Sequence, residues 1–153
     1  MMRRHSILEV NAEVLSTLGI PQPVVLLDID NTILAPRAAE MDSGVAAHVR
    51  QLSQDVRILL CTNNLTDRQR RVSETLNLPI LMRAMKPLTW WVKPWLKQQH
   101  IAERDVIVVG DQWVTDVWLA KALRCPVVLL DPIAEDTHLL TRLLRRVEKR
   151  WKL

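Results

Sequence analysis

The chain contains no tyrosine and no phenylalanine; its only large aromatic side chains are six tryptophans. Aromatic packing therefore falls entirely to tryptophan, which predicts core positions for Trp118 and for at least one of Trp90 and Trp91. Glycine is scarce at three residues, so each is expected where the backbone requires it. The two cysteines, Cys61 and Cys125, lie in strand-like apolar runs. They read as small buried hydrophobes and exclude a disulfide framework or a cysteine metal site. No apolar run reaches 18 residues, so no transmembrane helix is expected. The start, "MMRRHSILEV", lacks the apolar stretch of a signal peptide, and Glu9 and Glu13 argue against a transit peptide, which makes a cytoplasmic location the expectation.

What is present is ordinary for a globular chain of 153 residues: 48 % apolar and 25 % charged. That length predicts one domain over 1–153, with an N-terminal helix and a basic C-terminal helix. The net charge of +4 is unevenly placed. Arg142, Arg145, Arg146, Lys149, Arg150 and Lys152 face Glu148 alone in the tail, so the rest of the chain is near neutral.

Short β-branched runs alternate with helical patterns. Ser6 is placed to cap a first helix, "SILEVNAEVLSTL", which Gly19 and Pro21 stop. Strands are expected at "VVLLDI", "VRILLCT", "PILMR", "DVIVVG" and "PVVLL". The intervening helices begin near Asp42, Thr66, Trp90 and Trp113, and Pro94 predicts a kink or a restart near Lys93. Strands this apolar, alternating with helices, imply a parallel sheet of about five strands covered on both faces.

Polar residues cluster at the strand ends. The first strand ends in Asp28 and Asp30, which share one side because residues two apart on a strand do. The second ends in Thr62 and Asn63, the third leads to Lys86, and the fourth runs into Asp111 and Asp116. In a parallel sheet these tips share the edge where ligands bind. The set suits hydrolysis of a phosphate monoester. Asp28, Asp111 and Asp116 offer the oxygen ligands magnesium prefers. Lys86 and Thr62 can hold phosphate oxygens, one carboxylate can attack phosphorus, and another can serve as acid and base. Asp131, before Pro132, reads as a turn former, and His48, His100 and His138 are scattered and expected to face solvent.

The order "DIDNTIL", "CTNN", "RAMKP", "GDQWVTD" resembles the haloacid dehalogenase (HAD) superfamily, and within it the YqeG family of IIIA-type phosphatases. Eukaryotic relatives of that family are phosphatidylglycerophosphate phosphatases. The resemblance implies a Rossmann-like three-layer sandwich and a magnesium cofactor. It also implies roles: Asp28 nucleophile, Asp30 general acid/base and metal ligand through its carbonyl, Thr32 steadying the loop. Thr62 and Asn63 would bind phosphate, Lys86 would neutralise phosphate and nucleophile, and Asp111 and Asp116 would ligate the metal.

Residues 31–41 are too few for a cap domain, so the site is expected to be open and suited to a large or surface-bound substrate. Trp113, between Asp111 and Asp116, is placed at its rim. The tail combines an apolar stripe with basic residues, a pattern fitting a helix packed on the domain, one lying on anionic lipid, or both. The expected partner is therefore an anionic phospholipid, met by peripheral contact at the inner face of a membrane. A soluble phosphate or a phosphoprotein is the alternative substrate. A phospho-switch module is the non-enzyme alternative, and the order of its acids argues against it. No nucleic acid is expected, because no base-stacking or groove-reading motif accompanies the tail.

Overall fold

The computed structural model describes residues 1–134. The tail bases, the apolar stripe beside them and His138 lie outside the described residues.

Six strands form one parallel sheet in the order β1-β6-β5-β2-β3-β4. Their ranges are β1 Met2–Arg4, β2 Val24–Leu27, β3 Arg57–Cys61, β4 Ile80–Leu81, β5 Val106–Gly110 and β6 Val127–Leu130. The helices are α1 Ala12–Ser16, α2 Ser43–Asp55, α3 Asp67–Leu76, α4 Val92–Gln98 and α5 Trp118–Leu123. All five expected strands are present. The sixth, β1, pairs Met2, Arg3 and Arg4 with Val128, Leu129 and Leu130 at the sheet's edge. Three residues, two of them arginine, carry no strand signal of their own.

β2 lies in mid-sheet between β3 and β5, and all four of its side chains are buried. Each such burial contributes about 1.5–3 kcal/mol. Alternation divides the strand between two cores. Val25 and Leu27 pack with Ala46, Val49 and Leu52 of α2 and with Val72 and Leu76 of α3. Val24 and Leu26 pack with Val92 and Leu96 of α4 and with Leu119, Ala120 and Leu123 of α5. Helix layers thus cover both faces, the three-layer arrangement expected.

The N-terminal segment is not one helix. Ser6 caps a single 3-10 turn, Ile7–Glu9, and Val10 is then extended. Asn11 caps α1, accepting a hydrogen bond from the Val14 N–H at 2.8 Å. Breaking the helix lets Ile7, Val10 and Leu15 all enter one core. Asp42 caps α2, and Thr66 begins α3 with a capping box closed by Gln69. α4 begins at Val92, one residue from the restart expected near Lys93, which makes Pro94 its third residue, where the missing N–H is one that a first turn leaves unpaired anyway.

Tryptophan placement differs from expectation. Trp118 is 52 % exposed, and Trp90 and Trp91 are 69 % and 57 % exposed. Leu, Ile and Val fill the core, and Trp95 and Trp113 only pack against its edge. His100 is exposed as expected, whereas His48 is half-buried with its Nε2 2.8 Å from the Val10 carbonyl.

Candidate active site

The order of strands locates the cleft. From β2 the chain moves outward to β3 and β4, then crosses back to β5 on β2's other side. The crevice at this reversal lies at the strands' C-terminal tips between β2 and β5, which carry the acids.

The Asp28 N–H donates to the Val109 carbonyl at 2.9 Å, extending the β2–β5 ladder by one residue and fixing where the carboxylate projects. Beyond it, Asn31 adopts a left-handed φ of 63°, and the Asn31, Ile33 and Leu34 amides close a tight turn on Leu34 and Ile29. That turn aims Thr32 inward: its hydroxyl lies 3.0 Å from Asp28 Oδ2 and 3.2 Å from Asp111 Oδ1.

Lys86 is buried and reaches two acids, Asp28 Oδ1 at 2.6 Å and Asp116 Oδ1 at 2.7 Å. Asp116 is fully buried on a single π-helical turn, Trp113–Val117, that leads into α5, and its Oδ2 accepts the Gln112 N–H at 3.1 Å. The wider π turn brings an acid two residues after Val114 back over the β5 tip. Gly110 is the matching requirement, because a β-carbon there would overlap the Asp116 carboxyl group.

Asp28, Asp111 and Asp116 each offer an oxygen within 4.8 Å of the others. Three buried carboxylates with one lysine leave a formal excess of two negative charges. Burial pushes the Asp28 carboxyl well above its usual range; Lys86 opposes this, and Asp116 and Asp111 add to it. Burial alone would lower Lys86, but the charges of Asp116 and Asp28 outweigh it and hold the ammonium well above its usual range. The lysine therefore keeps its proton, and the unbalanced charge rests with the acids. A divalent cation with hard oxygen preference fits this donor set, since it would cancel the excess.

Asp30 borders the same cleft but has other partners. Thr62 Oγ1 donates to its Oδ2 at 2.8 Å and Gln69 Nε2 to its Oδ1 at 2.7 Å. Gln69 is 1 % exposed, and its carbonyl accepts the Thr66 N–H at 3.2 Å, so only its NH₂ is left for Asp30. Gln69 carries no catalytic signature in the sequence. Its one signal was a glutamine three residues after a helix-capping threonine, which looks like a cap alone.

Asn63 grips Lys86 through the backbone. Its Nδ2 donates to the Lys86 carbonyl at 2.9 Å, and its Oδ1 accepts the Lys86 N–H at 2.7 Å. Two left-handed residues, Arg83 and Met85, shape the loop that this clamp holds. The cleft itself, about 60 Å³, is lined by Asp28, Asp30, Thr62, Asn63, Lys86 and Gln112, among others. No further element intervenes between β2 and α2 or between β4 and α4, so the described chain sets no cap over it. A hollow of about 700 Å³ between Lys93 and Glu103 includes none of the acids. Burial pushes the thiols of Cys61 and Cys125 up to about 12, in keeping with inert residues. Asp131 follows β6 beside Pro132 and adds a partner the sequence did not suggest, His5 Nδ1 at 2.8 Å.

Residues 5–134 match the family model described as mitochondrial PGP phosphatase. The Bacillus subtilis protein named "Probable phosphatase YqeG" is 26 % identical over 133 residues, covering 82 % of this chain and 74 % of that protein. Among solved structures, a HAD family hydrolase from Streptomyces avermitilis has a TM-score of 0.57 at 21 % identity, over 72 % of this chain and 68 % of its own. A HAD-superfamily hydrolase of subfamily IA from Geobacter sulfurreducens has a TM-score of 0.50 at 17 % identity, over 88 % and 100 %. With a family match across most of its length, the chain belongs to the family described as mitochondrial PGP phosphatase and is a phosphatase, and its fold is the one those HAD hydrolases share.

Proposed function

We propose that the protein is a magnesium-dependent phosphomonoesterase that hydrolyses phosphatidylglycerophosphate to phosphatidylglycerol through an aspartyl phosphate on Asp28. The observation that carries this reading is the buried triad of Asp28, Asp111 and Asp116 around Lys86, with Asp30 separately held on the other side of the cleft.

Asp28 is the nucleophile. Lys86 and Thr32 fix its two oxygens, so attack begins from a set orientation rather than from a free rotor. Its carboxylate bonds to phosphorus as the ester P–O bond breaks, and Asp30 gives its proton to the departing alkoxide. Asp30 then takes a proton from water. The resulting hydroxide attacks phosphorus, inorganic phosphate leaves, and the Asp28 carboxylate is restored. Lys86 offsets charge on Asp28 and on the phosphate oxygens, Thr62 faces the phosphate, and Asn63 supports both through its grip on Lys86. Asp28, Asp111, Asp116 and the Asp30 carbonyl would hold magnesium, whose charge offsets that of the phosphoryl group as it transfers.

The substrate assignment rests on the family match and on the capless cleft, which leaves room for a phosphate whose remaining bulk stays outside. On this reading the enzyme meets its substrate from the aqueous, cytoplasmic side of a membrane. A phosphate-release screen across lipid, sugar, nucleotide and peptide phosphates, with magnesium and with EDTA, tests it. The expected result is magnesium-dependent release from phosphatidylglycerophosphate well above the others. Preference for a soluble or peptide phosphate would overturn the substrate assignment, and full activity in EDTA would overturn the metal.

A further inference from the structure

The loop that delivers Lys86 also carries the most exposed tryptophans of the described chain. Met85, Leu88, Trp90 and Trp91 are 46 %, 42 %, 69 % and 57 % exposed. Trp91 Nε1 donates to Met85 Sδ at 3.3 Å, and the Leu88 amide turns back on the Met85 carbonyl, so these side chains form one patch. Arg83 and Ala84 hydrogen-bond to Asn64 and Thr62, joining this loop to the one after β3. There Leu65 is 53 % exposed. Both loops leave the C-terminal edge of the sheet, and both line the cleft, through Lys86 on one and Thr62, Asn63 and Asn64 on the other.

The chain on either side of residues 85–91 carries bases and no acids. Residues 75–102 contain no aspartate or glutamate and include Arg83, Lys93 and Lys97 on the surface. Lys93 pairs with Glu103, just past the end of that stretch, at 3.2 Å. Exposed Trp, Leu and Met on an acid-free stretch with surface bases match an anionic membrane interface, where rings and alkyl chains enter the headgroup region and ammonium and guanidinium groups meet lipid phosphate. Asp67, two residues past Leu65, is an exposed acid and pairs with Arg70. The cleft's size points the same way. About 60 Å³ accepts a phosphoryl group and leaves the rest of the substrate outside, next to these loops.

We propose that residues 85–91, with Leu65 beside them, form a docking surface for an anionic lipid bilayer and seat the cleft directly on the headgroups. The proposal rests on the lipid-phosphate reading above and adds the surface that makes it work: the lipid is never extracted, and its phosphate enters as the loop settles into the leaflet.

The test uses the full chain, the double variant Trp90→Ala/Trp91→Ala, and separately Leu88→Glu, which puts an anion into the patch without touching either tryptophan. Binding is read by sedimentation with mixed phosphatidylglycerol–phosphatidylcholine vesicles and by fluorescence quenching from brominated acyl chains. Turnover is read on vesicle-borne phosphatidylglycerophosphate and on p-nitrophenyl phosphate. Both variants should partition to vesicles about tenfold more weakly or worse. Vesicle-borne turnover should fall in parallel, while p-nitrophenyl phosphate turnover stays at the parent's level, and quenching should be lost in the double variant. The proposal is overturned if the parent ignores these vesicles or if both variants bind like the parent. It is equally overturned if the parent is a dimer that the variants dissociate, because the patch then meets a second copy. Vesicle binding that depends on the patch, together with no hydrolysis of phosphatidylglycerophosphate, would uphold the docking surface and overturn the substrate assignment alone.

Discussion

Replacing Asp28 by asparagine should abolish turnover yet leave the metal-free protein at least as stable as the parent. The expectation follows from charges. At an effective dielectric constant of 20, the 2.6 Å contact with Lys86 is worth about 6 kcal/mol of attraction. Opposing it, two carboxylates within 4.8 Å each contribute about 3.5 kcal/mol of repulsion, or roughly 7 kcal/mol together. These nearly cancel, and the cost of burying a third carboxylate remains. Asparagine removes that cost, keeps the shape, and leaves Lys86 its Asp116 partner at 2.7 Å. Denaturant unfolding in EDTA at neutral pH should place Asp28→Asn level with the parent or up to about 3 kcal/mol above it.

The pH dependence has a definite sign. Because the folded protein raises the Asp28 carboxyl, the native state binds that proton more tightly than the unfolded chain does. The parent's stability relative to the variant therefore falls as pH rises from the ordinary carboxylate range through the raised value. Near pH 4, where the parent's Asp28 is protonated, the variant's advantage should vanish. Magnesium should also shrink it, since the cation stabilises the parent's three-acid site more. A loss of about 3–5 kcal/mol in the metal-free variant, the usual result of breaking a buried ion pair, would refute this reasoning and make Asp28 a structural partner of Lys86.

Lys86→Met should do the opposite. Asp28 and Asp116 lose the ammonium they share, next to a third buried acid, so unfolding in EDTA should come about 3–5 kcal/mol earlier, with partial recovery on adding magnesium. Gly110→Ala should cost about 1–3 kcal/mol and weaken magnesium binding, measured by calorimetry, because the new methyl group displaces Asp116. Gln69→Leu should lower kcat roughly tenfold to a hundredfold on an alkyl phosphate and far less on p-nitrophenyl phosphate, whose phenolate leaves without a proton. Equal losses on the two esters would show that Gln69 serves α3 and not Asp30.

Much of this site was legible because strand tips in a parallel sheet must meet at one edge. Asp28, Thr62 and Asp111 follow five residues or fewer of β-branched or leucine-rich strand, and their neighbourhood follows from chain order alone. Asp116 was the least secure ligand in sequence, since an acid in a helix's first turn ordinarily favours the dipole. Only the π turn and the closeness of Gly110 reveal why it faces Lys86. Gln69 escaped notice because its capping role and its bond to Asp30 use opposite ends of one amide. β1 escaped because its stability comes from β6, whose paired residues lie 126 positions away, and not from Met2–Arg4. The tryptophans misled by composition: a chain without phenylalanine need not bury its other rings when aliphatic residues suffice.

Asn31 ties the catalytic turn to the chain after β6. Its Nδ2 donates to the Ala134 carbonyl at 2.8 Å, its Oδ1 accepts the Ala134 N–H at 2.9 Å, and its own carbonyl accepts the Ile133 N–H at 3.0 Å. The polypeptide thus passes residue 134 while still bound three residues from Asp28. Residue 134 is thereby held against the turn that follows Asp28, so a group attached there is tethered to the catalytic turn and not to the sheet's far edge. A dye attached by a short linker at position 134 would therefore act as a proximity sensor for whatever arrives at Asp28. Asn31→Ala, which unties the knot, should dull its response without removing a single acid from the cluster.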